Sequence, residues 1–280
     1  MESVSIPYAV VALLGLAFGS FLNVCIFRLP RRESVITPRS HCPHCGHVIR
    51  WYDNIPVVSY VLLRAKCRDC GGRISPLYPL VEVLTAAVLV AGFARKGLTP
   101  DFVKVAVLGM ALVVLIFTDL TERRIPHTVT LFATAVGFLL SFFIPVDNTI
   151  LEWFFRRLDV FLHGPASWFL GAVSGALFGG GFFYAVGEVF YRLRGKEGLG
   201  FGDVMLMLMI GAYLGIPLTL LTIFLGSLMG TLVAGTLYLA SPRFRNYEWP
   251  YGAFLGVAAI YSSLGGNALL DAYLRWWGLA

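Results

Sequence analysis

The chain has 280 residues, of which 58% are hydrophobic and only 14% are charged. Soluble domains carry roughly 25% charged residues, so this chain lacks the charge that a water-facing surface needs. The composition excludes a soluble enzyme, a disordered chain and a small disulfide-stabilised domain. The net charge of +6 is compatible with nucleic-acid binding, but basic residues in a membrane protein more often set its topology. The composition therefore predicts a polytopic membrane protein.

Eight apolar segments are predicted to be membrane spans. A span needs about 20 mostly apolar residues to cross a hydrocarbon core of roughly 30 Å. The sixth segment is short, and its separation from the seventh rests on Gly215 and Pro217. The predicted spans cover residues 7–27, 77–94, 103–118, 128–144, 167–191, 202–216, 218–240 and 251–269.

The distribution of Lys and Arg predicts how these spans are oriented. No basic residue precedes the first span, which distinguishes it from a cleavable signal peptide, and Arg28, Arg31 and Arg32 follow it. Because basic residues concentrate in cytoplasmic loops, the N-terminus is expected outside and the next loop inside. With eight alternating spans, most of the 22 basic residues fall inside and both termini lie outside. This sorting removes the nucleic-acid interpretation of the net charge.

Glycines recur four residues apart within several of the predicted spans. Small residues at this spacing allow two helix backbones to approach closely. The spacing predicts helix packing within the monomer, and a dimer interface is the alternative. The pairs are Gly15/Gly19, Gly171/Gly175, Gly175/Gly179, Gly226/Gly230 and Gly252/Gly256.

Four of the five cysteines form two Cys-x-x-Cys pairs in the loop between the first two spans. The pairs are Cys42/Cys45 and Cys67/Cys70, and 21 residues separate them. Two such pairs bring four thiolates to the corners of a tetrahedron around Zn²⁺, with Zn–S distances of about 2.3 Å. Four thiolates leave no open coordination position, so the site is predicted to be structural. Disulfides, iron and redox chemistry are the alternatives, and a cytoplasmic location argues against disulfides.

Two aspartates lie at the ends of predicted spans, at the same side of the membrane. Asp119 ends the third span and Asp203 opens the sixth, within the sequence GLGFGD. Two carboxylates held close together cannot both ionise easily, so one stays protonated while the other activates a water, as in aspartic proteases. Gly200 and Gly202 carry no Cβ and leave room for an extended substrate backbone beside Asp203. The alternative for each aspartate is a helix-end residue in the headgroup region.

At this point the sequence resembles the type IV prepilin peptidases, the bifunctional leader peptidase/N-methyltransferases of bacterial pilus and type II secretion systems. The matching motifs follow one another along nearly the whole chain, so the resemblance is specific. They are GSFLNV at 19–24 with RLP at 28–30, the cysteine pairs around NIP at 54–56, YPLVE at 78–82, DL at 119–120 with IP at 125–126, the stretch 197–204, and PYGAFL at 250–255.

The resemblance implies an activity and a site. Asp119 and Asp203 fall on the two catalytic aspartates of the family, and Gly200, Gly202, Ile125 and Pro126 fall on the motifs that surround them. The implied reaction is cleavage of the basic leader of prepilins or pseudopilins at the cytoplasmic face of the bacterial inner membrane. These proteins and the lipid bilayer are the expected partners, with no nucleic acid.

The resemblance also implies that the new N-terminus is methylated with S-adenosylmethionine. The chain has no Gly-x-Gly-x-x-Gly loop, so no motif locates a methyl-donor site. Glu82 is the candidate at that site, and Glu188 also lies where it could position an amine. Helix packing against a nearby Arg is the alternative for both.

The expected fold is an all-α polytopic membrane protein with about eight transmembrane helices and a small zinc-binding loop. The expected divisions are a first transmembrane helix at 1–27, the cytoplasmic four-cysteine zinc-binding loop at 28–76, and a membrane-embedded aspartic peptidase domain with about seven helices at 77–280. Met205 and His127 differ from the residues that are common in the family at these positions. The residues that tune the charge of the two aspartates in relatives are therefore absent or replaced here. The alternatives are a peptidase without methyltransferase activity and a transporter whose aspartates line an ion path.

Overall fold

The computed structural model describes residues 2–157, 159, 163–196, 198–240, 247 and 249–276, and residues 2–5 are described by their backbone alone. This part of the chain is helical, with two isolated β-bridges and no strand. The described helices are α1 (Glu2–Arg28), α2 (Val58–Leu62), α3 (Leu77–Lys96), α4 (Pro100–Glu122), α5 (His127–Leu140), α6 (Thr149–Arg156), α7 (Pro165–Arg194), α8 (Phe201–Ala240) and α9 (Tyr251–Trp276).

Six of these helices are long and apolar enough to cross a membrane, namely α1, α3, α4, α7, α8 and α9. Helix α5 is a shorter apolar helix of 14 residues. The predicted all-α polytopic fold class is therefore confirmed. The number of helices that cross the membrane stays a prediction.

The sixth and seventh predicted spans correspond to two helical segments of α8. A kink interrupts this helix at Gly215, whose φ of 72° and ψ of 180° are not helical, two residues before Pro217. Proline cannot donate the hydrogen bond that a helix interior requires, and glycine tolerates a positive φ. Met207 and Thr219, which lie on either side of Gly215, both come within 3.2 Å of a Cβ placed on Gly179, so the two helical segments fold back alongside each other. Gly215 and Pro217 therefore lie at the break between the two segments, as the sequence predicts.

The chain forms two compact units, residues 1–102 and 103–280. In the first unit α1 packs along α3. A methyl group at Gly15 would lie 2.5 Å from Ala86 Cα, and one at Gly19 would lie 2.6 Å from Glu82 Cα, so the two backbones touch where the glycines lie. This packing places α3 in the first unit, whereas the predicted division fell at 76/77. The functional boundaries of the three predicted domains stay a prediction.

In the second unit α8 is the central helix and packs against α5, α7 and α9. Gly175 of α7 lies against the backbone of Gly211 and Gly215, and Gly179 lies against Met207. Every predicted glycine pair has a neighbour within its own unit, as the packing interpretation expects. These close contacts bring the first turn of α8 beside the C-terminal end of α7.

Adding a methyl group at Gly175 is expected to destabilise the protein. The new Cβ of Gly175→Ala would lie 2.7 Å from Gly215 Cα, and a helix must shift to accept it. Overpacking of this kind costs about 1–3 kcal/mol, which exceeds the gain of about 1 kcal/mol that alanine brings to a helix interior. Thermal unfolding of the detergent-solubilised protein measures the effect.

Gly181→Ala is the matched control, because it lies in the same helix and its Cβ would meet nothing within 4 Å. We expect Gly181→Ala to unfold at the wild-type temperature or slightly above it. Equal unfolding temperatures for the two variants would contradict the packing described here.

Candidate active site and metal centre

Asp119 lies in the last turn of α4 and is only 7% exposed. Its Oδ2 accepts a hydrogen bond of 2.8 Å from the backbone N–H of Ala253, the third residue of α9. The first N–H groups of a helix have no partner within the helix and form its positive end. The start of α9 therefore holds the carboxylate of Asp119 in place.

Asp203 lies in the first turn of α8 and is half-buried. Its backbone N–H donates to the carbonyl of Gly200 at 3.0 Å, which fixes the backbone at the entrance of the helix. A Cβ at Gly200 would lie 3.7 Å from Asp203 Oδ2, an ordinary contact distance.

The two carboxylates meet at Gly252. A methyl group on Gly252 would lie 3.0 Å from Asp119 Oδ2 and 3.2 Å from Asp203 Oδ1. These two oxygens are therefore at most about 6.2 Å apart, because both lie close to one point. Such a spacing allows a single water or a substrate carbonyl to contact both carboxylates. The pairing predicted from two span ends is present in the structure.

Ile125 covers the paired carboxylates, and Pro126 follows it at the start of α5. The Ile125 side chain would lie 2.8 Å from a methyl group on Gly252 and 2.9 Å from one on Gly202. The Ile125 side chain therefore lies at the position that a Cβ of Gly202 would take, and the predicted role of Gly200 and Gly202 in substrate approach stays a prediction. Pro126 is buried and precedes the first residue of α5.

The two departures from the family pattern lie close to the carboxylates. His127 is exposed and its ring lies edge-to-face with Phe201, with 5.7 Å between the ring centroids. Met205 lies two residues after Asp203 in α8 and is partly exposed. Neither side chain replaces a carboxylate.

Sequence reasoning missed the role of the first turn of α9 and of Arg123. The Gly252/Gly256 pair was interpreted only as helix packing, although PYGAFL was one of the matching motifs. Arg123 follows Asp119 by one helical turn, and its charge acts on that carboxylate. Its guanidinium also lies 4.7 Å from the ring centre of Tyr247.

The four cysteine sulfurs form one cluster in the first unit, with all of them within 4.8 Å of one another. A tetrahedral site with Zn–S bonds of about 2.3 Å requires sulfurs about 3.8 Å apart. The Sγ atoms of Cys42 and Cys70 are 3.9 Å apart. Histidine belongs to no metal-binding group among the described residues, so the donor set is four thiolates.

Both cysteine pairs have the same backbone geometry. The N–H of Cys42 donates to the His47 carbonyl at 2.9 Å, and the N–H of Cys67 donates to the Gly72 carbonyl at 2.8 Å. In each pair the glycine after the second cysteine has a positive φ, 71° at Gly46 and 69° at Gly71. Only glycine adopts this conformation without strain, so each turn is fixed by its own sequence.

An ion pair supports the second cysteine pair. Arg68, which lies between Cys67 and Cys70, bonds to both carboxylate oxygens of Asp53 through Nε and to Oδ1 through a terminal nitrogen at 2.6 Å. These hydrogen bonds hold the pKa of Asp53 below its ordinary value. Asp53 is therefore ionised at neutral pH and links the short turn at Trp51–Asp53 to the cysteine cluster.

The two glutamates that sequence analysis singled out have different surroundings. Glu188 forms an ion pair of 2.7 Å with Arg192, one turn later in α7, as the packing alternative expects. Glu82 is only 7% exposed, and its Oε2 accepts a hydrogen bond of 2.7 Å from the Val57 N–H. The Ser20 hydroxyl also donates to Glu82. No Arg or Lys among the described residues pairs with it, and its role stays a prediction.

Comparison with known families divides the chain into two matching regions. The family model described as "Bacterial Peptidase A24 N-terminal domain" matches residues 13–95. The model described as "Type IV leader peptidase family" matches residues 105–235. A comparison with solved structures gave no significant match.

Several curated proteins are similar to this chain over most of its length. One from Xanthomonas campestris is 33% identical over 95% of this chain and 94% of its own length. One from Pseudomonas aeruginosa is 33% identical over 95% of this chain and 93% of its own. One from Myxococcus xanthus is 38% identical over 82% of this chain but only 63% of its own length. All three are named "Prepilin leader peptidase/N-methyltransferase", and the chain belongs to the type IV leader peptidase family.

Proposed function

We propose that this protein cleaves the leader of type IV prepilins or pseudopilins and then methylates the new N-terminus. The observation that carries the peptidase assignment is the meeting of Asp119 and Asp203 at Gly252. The names of the relatives support both activities. The transporter alternative has no support from the comparisons.

Asp119 and Asp203 act as an aspartic pair on a water held between them. One carboxylate takes a proton from the water as its oxygen attacks the scissile carbonyl carbon, and the other, protonated, donates to the carbonyl oxygen. The tetrahedral intermediate then collapses, the C–N bond breaks, and a proton passes to the departing amine. The Ala253 N–H keeps the Asp119 carboxylate in position throughout, because it belongs to the helix backbone.

The site fits a substrate that is cut beside a membrane span. The protein is a multi-pass membrane protein of the bacterial inner membrane, and both aspartates lie at helix ends within one unit. With both termini outside, these ends face the cytoplasm, where a basic leader remains after the substrate helix has inserted. The scissile bond then lies just outside the hydrocarbon core.

Methylation requires S-adenosylmethionine, whose sulfonium makes its methyl carbon an electrophile. The amine that cleavage exposes is the nucleophile, and it attacks through its lone pair. The protein must therefore bind the neutral amine or remove a proton from the ammonium form. No nucleotide-binding glycine motif serves this purpose in the sequence.

The cysteine cluster is proposed to hold one structural Zn²⁺. Cys42, Cys45, Cys67 and Cys70 supply four thiolates at tetrahedral spacing and leave no position for a water or substrate. The loop between α1 and α3 is too short to bury a core of its own, so metal binding would supply its folding energy. The four thiolates therefore have a structural role and take no part in cleavage.

Replacing either aspartate by asparagine is expected to abolish cleavage. Asp119→Asn and Asp203→Asn each remove a group that must carry or release a proton, and the rate should fall at least about a thousandfold. Coexpression with a prepilin, followed by gel analysis of leader removal, measures the effect. Asp101→Asn is the control in the same helix as Asp119, at the opposite end of α4. Normal processing by either aspartate variant would exclude the pair as the catalytic centre.

Gly252→Ala is expected to slow cleavage by about 10- to 100-fold, since small displacements of reacting groups have effects of this size. The added methyl group would touch both carboxylates and Ile125 and force them apart. Gly235→Ala in α8 is the control, because its Cβ would meet nothing within 4 Å. Cleavage rates and unfolding temperatures are compared for both variants. A wild-type rate for Gly252→Ala would show that the carboxylates do not meet at this glycine.

The purified protein is expected to contain one zinc ion per chain, measured by elemental analysis. Cys42→Ala and Cys67→Ala should lose the metal, and limited proteolysis should then cut the loop between α1 and α3 faster. Cys25→Ala is the control, since Cys25 is buried in α1 outside the cluster. Full zinc content in the cluster variants would refute the assignment.

A further inference from the structure

The first unit contains two adjoining cavities. The larger, of about 920 Å³, lies between the loop that joins α1 to α3 and the ends of these two helices, and its wall includes Cys42 and Cys67. The smaller, of about 330 Å³, lies in the same loop, between α2 and the start of α3. Tyr60 of α2 and Pro76, the residue before α3, are part of its lining.

Three basic residues line the smaller cavity, and none of its lining residues is acidic. They are Arg64, Lys66 and Arg73, and all three are exposed. Within the described part of the chain, none of the three forms an ion pair. Arg68 of the same loop is different, since Asp53 balances its charge at 2.6 Å. The smaller cavity therefore concentrates positive charge that the described residues do not neutralise.

Two of the three cations are held side by side. Lys66 and Arg73 are partners in an antiparallel β-bridge that flanks the second cysteine pair. Like charges directly opposite each other on paired strands repel and destabilise the pairing. The first cysteine pair is flanked by the same kind of bridge between His41 and Val48, where Val48 carries no charge. The turn geometry of a cysteine pair therefore does not require two cations, and an anion beside Lys66 and Arg73 would offset their repulsion.

The third cation reaches the bridge through a strained turn. Arg64 and Ala65 have φ of 50° and 57°, a left-handed conformation that is uncommon for residues other than glycine. Such a conformation persists only where the surroundings enforce it, and it is concentrated at binding sites and active sites. The Ala65 carbonyl accepts a hydrogen bond of 2.8 Å from the Ile74 N–H, next to the bridge. The turn therefore places Arg64 at the same cavity as Lys66 and Arg73.

The smaller cavity lies beside the membrane surface. Pro76 lines it and is followed directly by Leu77, the first residue of α3, which is long and apolar enough to span a bilayer. The short helix α2 on its other side exposes apolar side chains, with Val61 65% exposed and Leu62 75% exposed. Apolar side chains flanked by Lys and Arg are typical of segments that lie in the interface of a membrane. The apolar residues of α2 can therefore enter the acyl boundary while the cations stay at the level of the headgroups.

We propose that the smaller cavity binds the phosphate of an anionic phospholipid and thereby holds α2 against the membrane. The phosphate oxygens would accept charge-assisted hydrogen bonds from the guanidinium groups of Arg64 and Arg73 and from the ammonium group of Lys66. A headgroup with net negative charge is required, because the three cations would repel the ammonium of a zwitterionic headgroup. The membrane around α3 supplies such a lipid next to the cavity. This binding does not depend on the proposed peptidase or methyltransferase activity.

Removing one cation at a time tests the site. Arg64→Gln, Lys66→Gln and Arg73→Gln are each purified as the full chain in detergent and titrated with short-chain phosphatidylglycerol, and the bound lipid is counted by native mass spectrometry. The Kd of each variant should rise about fivefold, which is the effect of one Lys or Arg at an anionic membrane surface. Arg39→Gln is the matched control, because Arg39 is exposed in the same loop but does not line the cavity. Its Kd should equal the wild-type value.

Three outcomes of the titration would overturn the proposal. An equal rise of the Kd for Arg39→Gln would show that only the net charge of the loop matters. Equal affinity for short-chain phosphatidylcholine would show that a net negative headgroup is not needed. Displacement of phosphatidylglycerol by an equal concentration of inorganic phosphate would show that the cavity takes a free anion instead of a lipid.

Hydrogen exchange tests the docking of α2 in a bilayer. In nanodiscs that contain phosphatidylglycerol, the amides of residues 58–66 of the wild-type protein should exchange about threefold more slowly than in nanodiscs of phosphatidylcholine alone. A variant that combines Arg64→Gln, Lys66→Gln and Arg73→Gln should lose this difference while its unfolding temperature stays at the wild-type value. A difference that persists in this variant would exclude the cavity as the lipid site. Equal exchange of the wild-type protein in both bilayers would refute the docking without reference to any variant.

Discussion

The hydrogen bond from the Ala253 N–H to Asp119 is the contact on which the proposed peptidase centre depends. It joins residues 134 positions apart and ties the end of α4 to the beginning of α9. A carboxylate buried in a membrane protein needs donors that cannot move away, and the first turn of a helix offers several aligned N–H groups. The carboxylate of Asp119 is therefore fixed beside that of Asp203. Gly252 has no side chain, and this leaves the space in which the two carboxylates lie close together.

Close glycine contacts make this arrangement possible. Gly175 and Gly211 bring α7 and α8 into backbone contact. Because Gly256 of α9 has no side chain, the Ile116 side chain of α4 packs directly against it. Lipid tails are as apolar as leucine, so membrane helices gain little from hydrophobic burial against each other and depend on such close packing. The position of each aspartate is therefore set by small residues distant from it in sequence.

Much of this organisation could be predicted from local sequence. Span ends located Asp119 and Asp203, and cysteine spacing located the cluster, because both signals lie within a few neighbouring residues. The role of Gly252 and the surroundings of Glu82 could not be predicted, since both depend on contacts between distant segments. The packing of α1 along α3 within residues 1–102 likewise depends on contacts between distant segments. The contact of Ile125 with Gly202 could not be predicted either, and the approach of a substrate beside Gly200 and Gly202 stays a prediction.

The repeated backbone geometry of the two cysteine pairs has a consequence for how the first unit would bind the proposed zinc ion. Each pair forms its own tight turn, with the same hydrogen bonds and the same left-handed glycine. One turn can therefore capture an ion with two thiolates before the other arrives. The second pair is tethered by a short segment, which raises its effective concentration around the captured ion. Stepwise chelation of the proposed ion would then close the loop and fix Cys42 and Cys67 in the wall of the larger cavity.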